Sequence, residues 1–318
     1  MKFATVDVGT NTALLLIVEV GGGGAMKVIG RGRRVVRLGE GVDESGMVKE
    51  EAMRRLGEAL QAFQRKAREE GADIVSVCGT SASRDARNKS ELVRFVRDHT
   101  GLEYTILSGE AEAYWSFRAA TSVFDNPPPL CAVLDIGGGS TELIVGQPGT
   151  GDGELRARHS FNIGTVRLTE RLFPTQPPPR ASFAKAIETI DAILSDEGQN
   201  LKNAFSEPLP LVGVAGTIVA LSFLVNDVET WADVPSIPLP IPIAAVSRLR
   251  KELFSLSFEE VTALNPAVMN GRADVFPMGV LIVERILHHF PVRSLAMSSR
   301  GLQYGLVLRH LEGLGLTP

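Results

Sequence analysis

Asp7, Gly9, Thr10, Asn11 and Thr12 form one short polar run, and Asp135, Gly137, Gly138, Gly139, Ser140 and Thr141 form a second of the same kind. Each follows an apolar stretch of strand character (Phe3 to Val6; Leu130 to Leu134), and each leads into another (Ala13 to Val18; Leu143 to Val145). Glycine lets the backbone turn tightly and bring N–H groups against an anion. Aspartate supplies a hard oxygen ligand for a cation such as magnesium. One such turn alone equally fits a hairpin whose aspartate satisfies its own turn amides. Two copies suggest two like half-molecules around a phosphate-bearing ligand.

Three further segments carry polar chemistry. Leu211 to Thr217 runs from a strand through Gly213, Ala215 and Gly216 towards a helix. A helix start offers free N–H groups to a phosphate, although close strand–helix packing needs the same small residues. Gly79 to Asn88 gathers Thr80, Ser81, Ser83, Arg84 and Arg87. Hydroxyls and a planar guanidinium suit phosphate oxygens, and a solvated loop would use them too. Glu110 and Glu112 open a helical pattern, where carboxylates suit the helix dipole and composition implies no site.

The elements that position these residues alternate. Strands are expected at 3–8, 13–20 and 26–37, with Gly21 to Gly24 as a hairpin turn. Met53, Leu56, Leu60, Phe63 and Ala67 step by three and four, which predicts a helix over 50–70 closed by Gly71. A strand at 74–78, a helix at 91–98, a strand at 104–107 and a helix at 110–120 follow. Asp125 to Pro129 breaks the chain just before the second glycine run, and the domain boundary is placed there: 1–125 and 126–318, with the last helix able to return to the first domain. The second half repeats the order, with strands at 131–135, 142–147, 154–162, 210–214 and 292–297. Its helices are expected at 183–194, 217–225, 244–254, 258–264, 273–289 and 301–311. Residues 226–243, with Pro235, Pro238, Pro240 and Pro242, read as irregular. The pattern is α/β with mixed sheets.

The chain has 318 residues, 44% of them hydrophobic and 22% charged, with a mean hydropathy of +0.09. That describes a globular protein long enough for two domains. A net charge of −4 and a pI near 5.8 argue against nucleic acid as partner. No stretch is long enough to span a bilayer, and the apolar run 13–18 is too short for a signal peptide. A cytoplasmic location is expected. Cys78 and Cys131 lie in apolar runs and read as buried thiols. A homodimer is compatible with the apolar fraction, as are two internal cores.

Seven segments, taken in order, resemble the exopolyphosphatase / guanosine pentaphosphate phosphatase family. They are Ala4 to Thr12, Val36 to Gly41, Gly79 to Ala86, Ser108 to Ala113, Asp135 to Leu143, Asn162 to Glu170 and Gly213 to Thr217. The resemblance implies an α/β fold of two ribonuclease-H-like domains around a central cleft. That is the actin-like ATPase superfold of sugar kinases, actin and chaperones. It also implies magnesium-dependent hydrolysis of the terminal phosphate of inorganic polyphosphate, or of the 5′-γ-phosphate of guanosine pentaphosphate.

The family's catalytic base carries over onto Glu112, while its neighbouring carboxylate position is Ala111 here; Glu110 sits off that register. Phosphoryl transfer is mostly positioning and charge neutralisation. The resemblance then assigns phosphate binding to Gly9, Thr10, Asn11, Thr12, Gly137, Gly138, Gly139, Ser140, Thr141, Gly216 and Thr217. Magnesium, with manganese as the substitute, falls to Asp135 and Glu142, with Asp7 as a further ligand. Arg84 would stabilise charge on the phosphoryl oxygens, and Glu112 would activate water. A polyanion also needs cations, for which Lys27, Arg31, Arg33, Arg34, Arg37, Arg84, Arg87, Lys89, Arg167, Arg171, Arg272 and Arg300 are candidates. Longer family members carry a C-terminal helical domain absent from this chain, so the core hydrolase is expected to stand alone. His288-His289 lacks a following Asp and reads as structural. The rivals are a kinase of the same superfold, which would need an adenosine pocket, and a phosphate sensor without turnover.

Overall fold

The computed structural model describes residues 1–21, 26–149, 151, 154–230 and 238–316. In chain order the first elements are β1 (Lys2–Val8), β2 (Thr12–Val20), β3 (Met26–Val35), α1 (Val42–Ser45), α2 (Glu50–Glu69), β4 (Asp73–Gly79), α3 (Ser81–Asp85), α4 (Lys89–Thr100), β5 (Tyr104–Ile106) and α5 (Gly109–Thr121). There follow β6 (Cys131–Ile136), β7 (Thr141–Gly146), β8 (Ala157–Phe161), α6 (Thr165–Leu172), α7 (Arg180–Glu197), α8 (Gln199–Ala204), β9 (Leu209–Val214) and α9 (Ala215–Val225). The chain closes with β10 (Leu239–Ile241), α10 (Ile243–Leu253), α11 (Phe258–Leu264), α12 (Pro266–Met269), α13 (Phe276–His289), β11 (Val292–Met297) and α14 (Leu302–Gly313).

The chain folds into two units, Met1–Trp115 with Leu302–Pro318, and Ser116–Gly301. The Asp125 to Pro129 break falls inside the second. The sheet of the first unit has the order β3-β2-β1-β4-β5. Read from its other edge, the sheet of the second is β8-β7-β6-β9-β11-β10. The same plan therefore occurs twice. Three antiparallel strands come first, the initial strand pairs in parallel with the fourth, and a further strand follows. Each unit is ribonuclease-H-like, and β10 adds an antiparallel edge to the second.

Burial explains the elements. On α2 the predicted stripe of Met53, Leu56, Leu60, Phe63 and Ala67 is buried, and Gly71 takes the left-handed conformation just beyond the helix. The central strands β6 and β7 are buried along their whole length, which suits their nearly continuous apolar sequences. Gly32 on β3 lies so close to Phe63 and Leu15 that a Cβ would crowd both. In the second unit Ser257 and Glu260 form a reciprocal capping box at the start of α11. His289 Nε2 lies 3.0 Å from Asp191, which also pairs with Arg285, so this histidine ties α13 to α7.

Several local expectations need correction. The solvated-loop alternative for the segment after β4 does not hold: Ser81, Ala82 and Ser83 are buried in the short helix α3. Ser83 Oγ meets the buried Tyr104 hydroxyl at 2.7 Å. Helices α1, α6 and α8 also stand where no helix was expected; α1 and α8 are too short for two turns of apolar periodicity to show. The proline-rich stretch is not irregular throughout, since residues 239–241 form β10. Pro240 is tolerated there because the strand is an edge. Residues 22–24 of the expected hairpin turn and 231–237 of the proline-rich stretch, Pro235 included, lie outside the described residues. Among the described residues no helix is long and apolar enough to cross a membrane.

Candidate active site

The two glycine runs fold alike. Each joins the first two strands of its sheet. In each, the glycine two residues after the aspartate donates its N–H to the carbonyl three residues on. Gly9 bonds Thr12 at 3.0 Å, and Gly137 bonds Ser140 at 2.9 Å. Each loop is also braced from behind by a later segment of its own unit. The Asn11 carbonyl accepts from the amides of Val36 (3.0 Å) and Arg37 (2.9 Å), and that of Thr10 accepts from Gly39 (2.9 Å). The Gly137 carbonyl accepts from Thr165 (3.1 Å), and Gly138 from Val166 (2.8 Å) and Arg167 (3.1 Å). Arg167 Nε adds a 2.7 Å bond to the Gly139 carbonyl.

The braces explain why glycine stands at 39 and 164. A Cβ on Gly39 would strike the Thr10 side chain, and one on Gly164 would strike the backbone of Gly138 and Gly139. With the loop carbonyls committed to the brace, peptide geometry turns the intervening N–H groups the other way. The amides of Gly138, Gly139 and Ser140 donate to no backbone carbonyl among the described residues. Outward amides of this kind form an anion cradle. Thr141 is spent differently: it is fully buried, and its hydroxyl donates to the Ile163 carbonyl at 2.6 Å, so it serves the brace.

The third turn opens α9. Ala215 has φ +66°, a left-handed conformation uncommon for a non-glycine residue, and Val214 at the N-cap offers no side-chain oxygen to the first-turn amides. Arg272 holds the Gly216 carbonyl, and Thr217 packs against Gly279 of α13.

In the first unit Arg84 Nη1 lies 2.6 Å from Glu112 Oε2 and 3.0 Å from the Leu107 carbonyl. Glu112 is buried, and Glu110 two residues before it is exposed. Ser108 shapes the start of α5, its carbonyl accepting from Glu112 N at 2.9 Å and its hydroxyl from Ala111 N at 3.2 Å. The sequence contained both residues but gave no sign of their pairing.

In the second unit the β6–β7 register sets Asp135 directly opposite Glu142. Residues opposite each other in an antiparallel pair project from the same face. Both carboxylates are buried, at 6% and 1% exposure. Burial raises the Asp135 pKa above its ordinary value, and the hydrogen bond from Ser116 opposes that shift. The corresponding place in the first unit pairs Asp7 with Leu14. Asp7 has no carboxylate opposite it, and among the described residues no three His, Cys, Asp or Glu side chains form a ready cluster. Two hard carboxylates fit magnesium, which commonly takes one or two protein carboxylates and completes its shell with water and phosphate oxygens.

Several candidate cations have structural partners. Arg31 bonds the Tyr304 hydroxyl and lies over its ring, Arg87 holds the Ser45 carbonyl, and Arg300 holds Ser122. Lys27, Arg31 and Arg34 are exposed on the edge strand β3.

The model of the Ppx/GppA phosphatase family matches residues 16–313. Exopolyphosphatase 2 of Mycobacterium tuberculosis is 31% identical over 331 aligned positions, covering 99% of this chain and 98% of that protein. An exopolyphosphatase from Cytophaga hutchinsonii superposes with a TM-score of 0.87 at 25% identity, covering all of both chains. The Aquifex aeolicus member of the Ppx/GppA family gives 0.78 at 25% identity, covering 99% of this chain and 98% of its own. The doubled sheet plan and these likenesses place the fold in the actin-like ATPase superfold. The chain belongs to the Ppx/GppA phosphatase family.

Proposed function

We propose that this chain is an exopolyphosphatase that removes the terminal phosphate of inorganic polyphosphate. The observation that carries the reading is the Arg84–Glu112 pair, which holds a cation for phosphoryl oxygens and a carboxylate for water side by side. The relatives named exopolyphosphatase support the choice of substrate.

The chemistry follows from the residues. Amides of the two braced loops bind phosphate oxygens. Asp135 and Glu142 would hold magnesium, with manganese as a substitute and Asp7 as a further candidate ligand. The ion supplies charge neutralisation on the phosphate oxygens. Water attacks the terminal phosphorus, its proton passes to the Glu112 carboxylate, and the bond from phosphorus to the bridging oxygen breaks. The shortened chain leaves as a phosphate anion, which needs little protonation. Arg84, released from Glu112 as the anionic substrate competes for it, stabilises charge on the transferring group. The exposed cations of β3 suit a long polyanion, and the two buried thiols suit a reducing, cytoplasmic setting.

Phosphate release with magnesium, measured in parallel on short polyphosphate, long polyphosphate, guanosine pentaphosphate and ATP, tests the assignment. Polyphosphate should be turned over with the highest kcat/KM. A clear preference for guanosine pentaphosphate or ATP would overturn it.

A further inference from the structure

The carboxylate pair of the second unit belongs to a longer row. On β7, Glu142 faces Asp135 of β6 on one side and Ser160 of β8 on the other. The register thus sets Asp135, Glu142 and Ser160 in line on one face of three adjacent strands. Ser160 Oγ donates to Glu142 Oε1 at 2.6 Å. At the other end of the row, the fully buried Ser116 of α5 donates to Asp135 Oδ2, also at 2.6 Å. Ser116 stands one helical turn after Glu112 on the same helix.

Two ionised carboxylates side by side in a buried sheet repel each other, and a cation held between them removes that cost. A hydroxyl is a suitable partner for carboxylates meant for a cation. It fixes the rotation of the carboxylate through one oxygen and, unlike lysine or arginine, leaves the negative charge in place. Outer partners of this kind orient metal ligands and tune affinity.

We propose that Ser116 and Ser160 are positioning residues that hold Asp135 and Glu142 as a divalent-cation ligand pair. The proposal rests on the reading of those two carboxylates as metal ligands. Neither serine need touch the ion or the substrate.

The test is manganese binding to the substrate-free protein, followed by electron paramagnetic resonance, with the melting temperature of the metal-free protein measured beside it. Ser116→Ala and Ser160→Ala should each weaken manganese binding about 10-fold or more, within the range typical of lost outer-shell partners. Ser160→Thr, which restores a hydroxyl on a strand, should recover most of the affinity. Asp135→Asn and Glu142→Gln should remove the site. If the carboxylate variants lose manganese while both alanine variants bind it like the wild type, the serine proposal fails and the metal reading stands. If Asp135→Asn and Glu142→Gln also bind like the wild type, both fail. Should Ser116→Ala not fold, Ser160→Ala and its threonine counterpart decide the question alone.

Discussion

Arg84 and Glu112 form a 2.6 Å ion pair in which the carboxylate is nearly buried, and the same guanidinium nitrogen also bonds the Leu107 carbonyl. The two residues proposed for transition-state charge and for water activation are therefore one unit. Arg84→Ala should lower kcat/KM for polyphosphate by about 10²–10³, the usual scale for removing a donor to developing charge. Arg84→Lys should recover only part, since lysine keeps the charge and loses the planar fork. Combining Arg84→Ala with Glu112→Gln should cost far less than the product of the single losses. Steady-state kinetics on the four proteins checks this, and full multiplicativity would mean the pair does not act together.

The braces behind the glycine loops predict a stability effect with a positional control. Gly164→Ala places a Cβ on the backbone of Gly138 and Gly139, which cannot yield as a flexible side chain would. It should destabilise by about 1–3 kcal/mol in urea unfolding, as overpacked sites do, and lower phosphate release. Gly313→Ala, whose Cβ would meet nothing within 4 Å, should be neutral or slightly stabilising.

The basic edge strand should matter for long substrates only. Replacing Lys27, Arg31 and Arg34 with glutamine should raise KM for long polyphosphate and flatten its salt dependence, while KM for tripolyphosphate stays put. An equal rise for both lengths would place these cations at the reacting end instead.

Cys131 gives a pH signature. Burial pushes its thiol up to about 12, so the folded state keeps the proton where an unfolded cysteine, with a pKa of about 8.5, loses it. The stabilisation is complete below the unfolded pKa and is lost as pH rises through the folded value. Denaturant unfolding should therefore show stability falling above about pH 8.5, and Cys131→Ala should remove part of the slope. In the folded protein, iodoacetamide at pH 8 should label Cys131 far more slowly than a free thiol.

Much of the fold could be read from sequence because its signals are periodic. The α2 stripe, the Gly71 stop and the two strand–loop–strand units depend on neighbours within a few residues. A short helix such as α3 offers too few turns for a stripe, and local placement depends on tertiary partners: Tyr104 for Ser83, and the Gly137 and Gly138 carbonyls for the start of α6. The site was legible as residue types and not as relationships. Glu112 pairs with a guanidinium 28 positions earlier, and Glu142 meets Ser160 only through strand register. One signal for Ser116 was present, its four-residue spacing from Glu112, but a serine on a helix is too common to single out. Thr141 shows the converse, a hydroxyl suited to an anion that the fold uses to hold its own backbone.

The most direct test of the account is phosphate release from polyphosphate by Glu112→Gln in saturating magnesium. The side chain keeps its shape and loses its ability to take a proton, so kcat should fall by about 10²–10⁴, with the protein folded and polyphosphate still bound. Turnover near that of the wild type would contradict the assignment of Glu112 as the base and favour a phosphate-binding role for the loops around it.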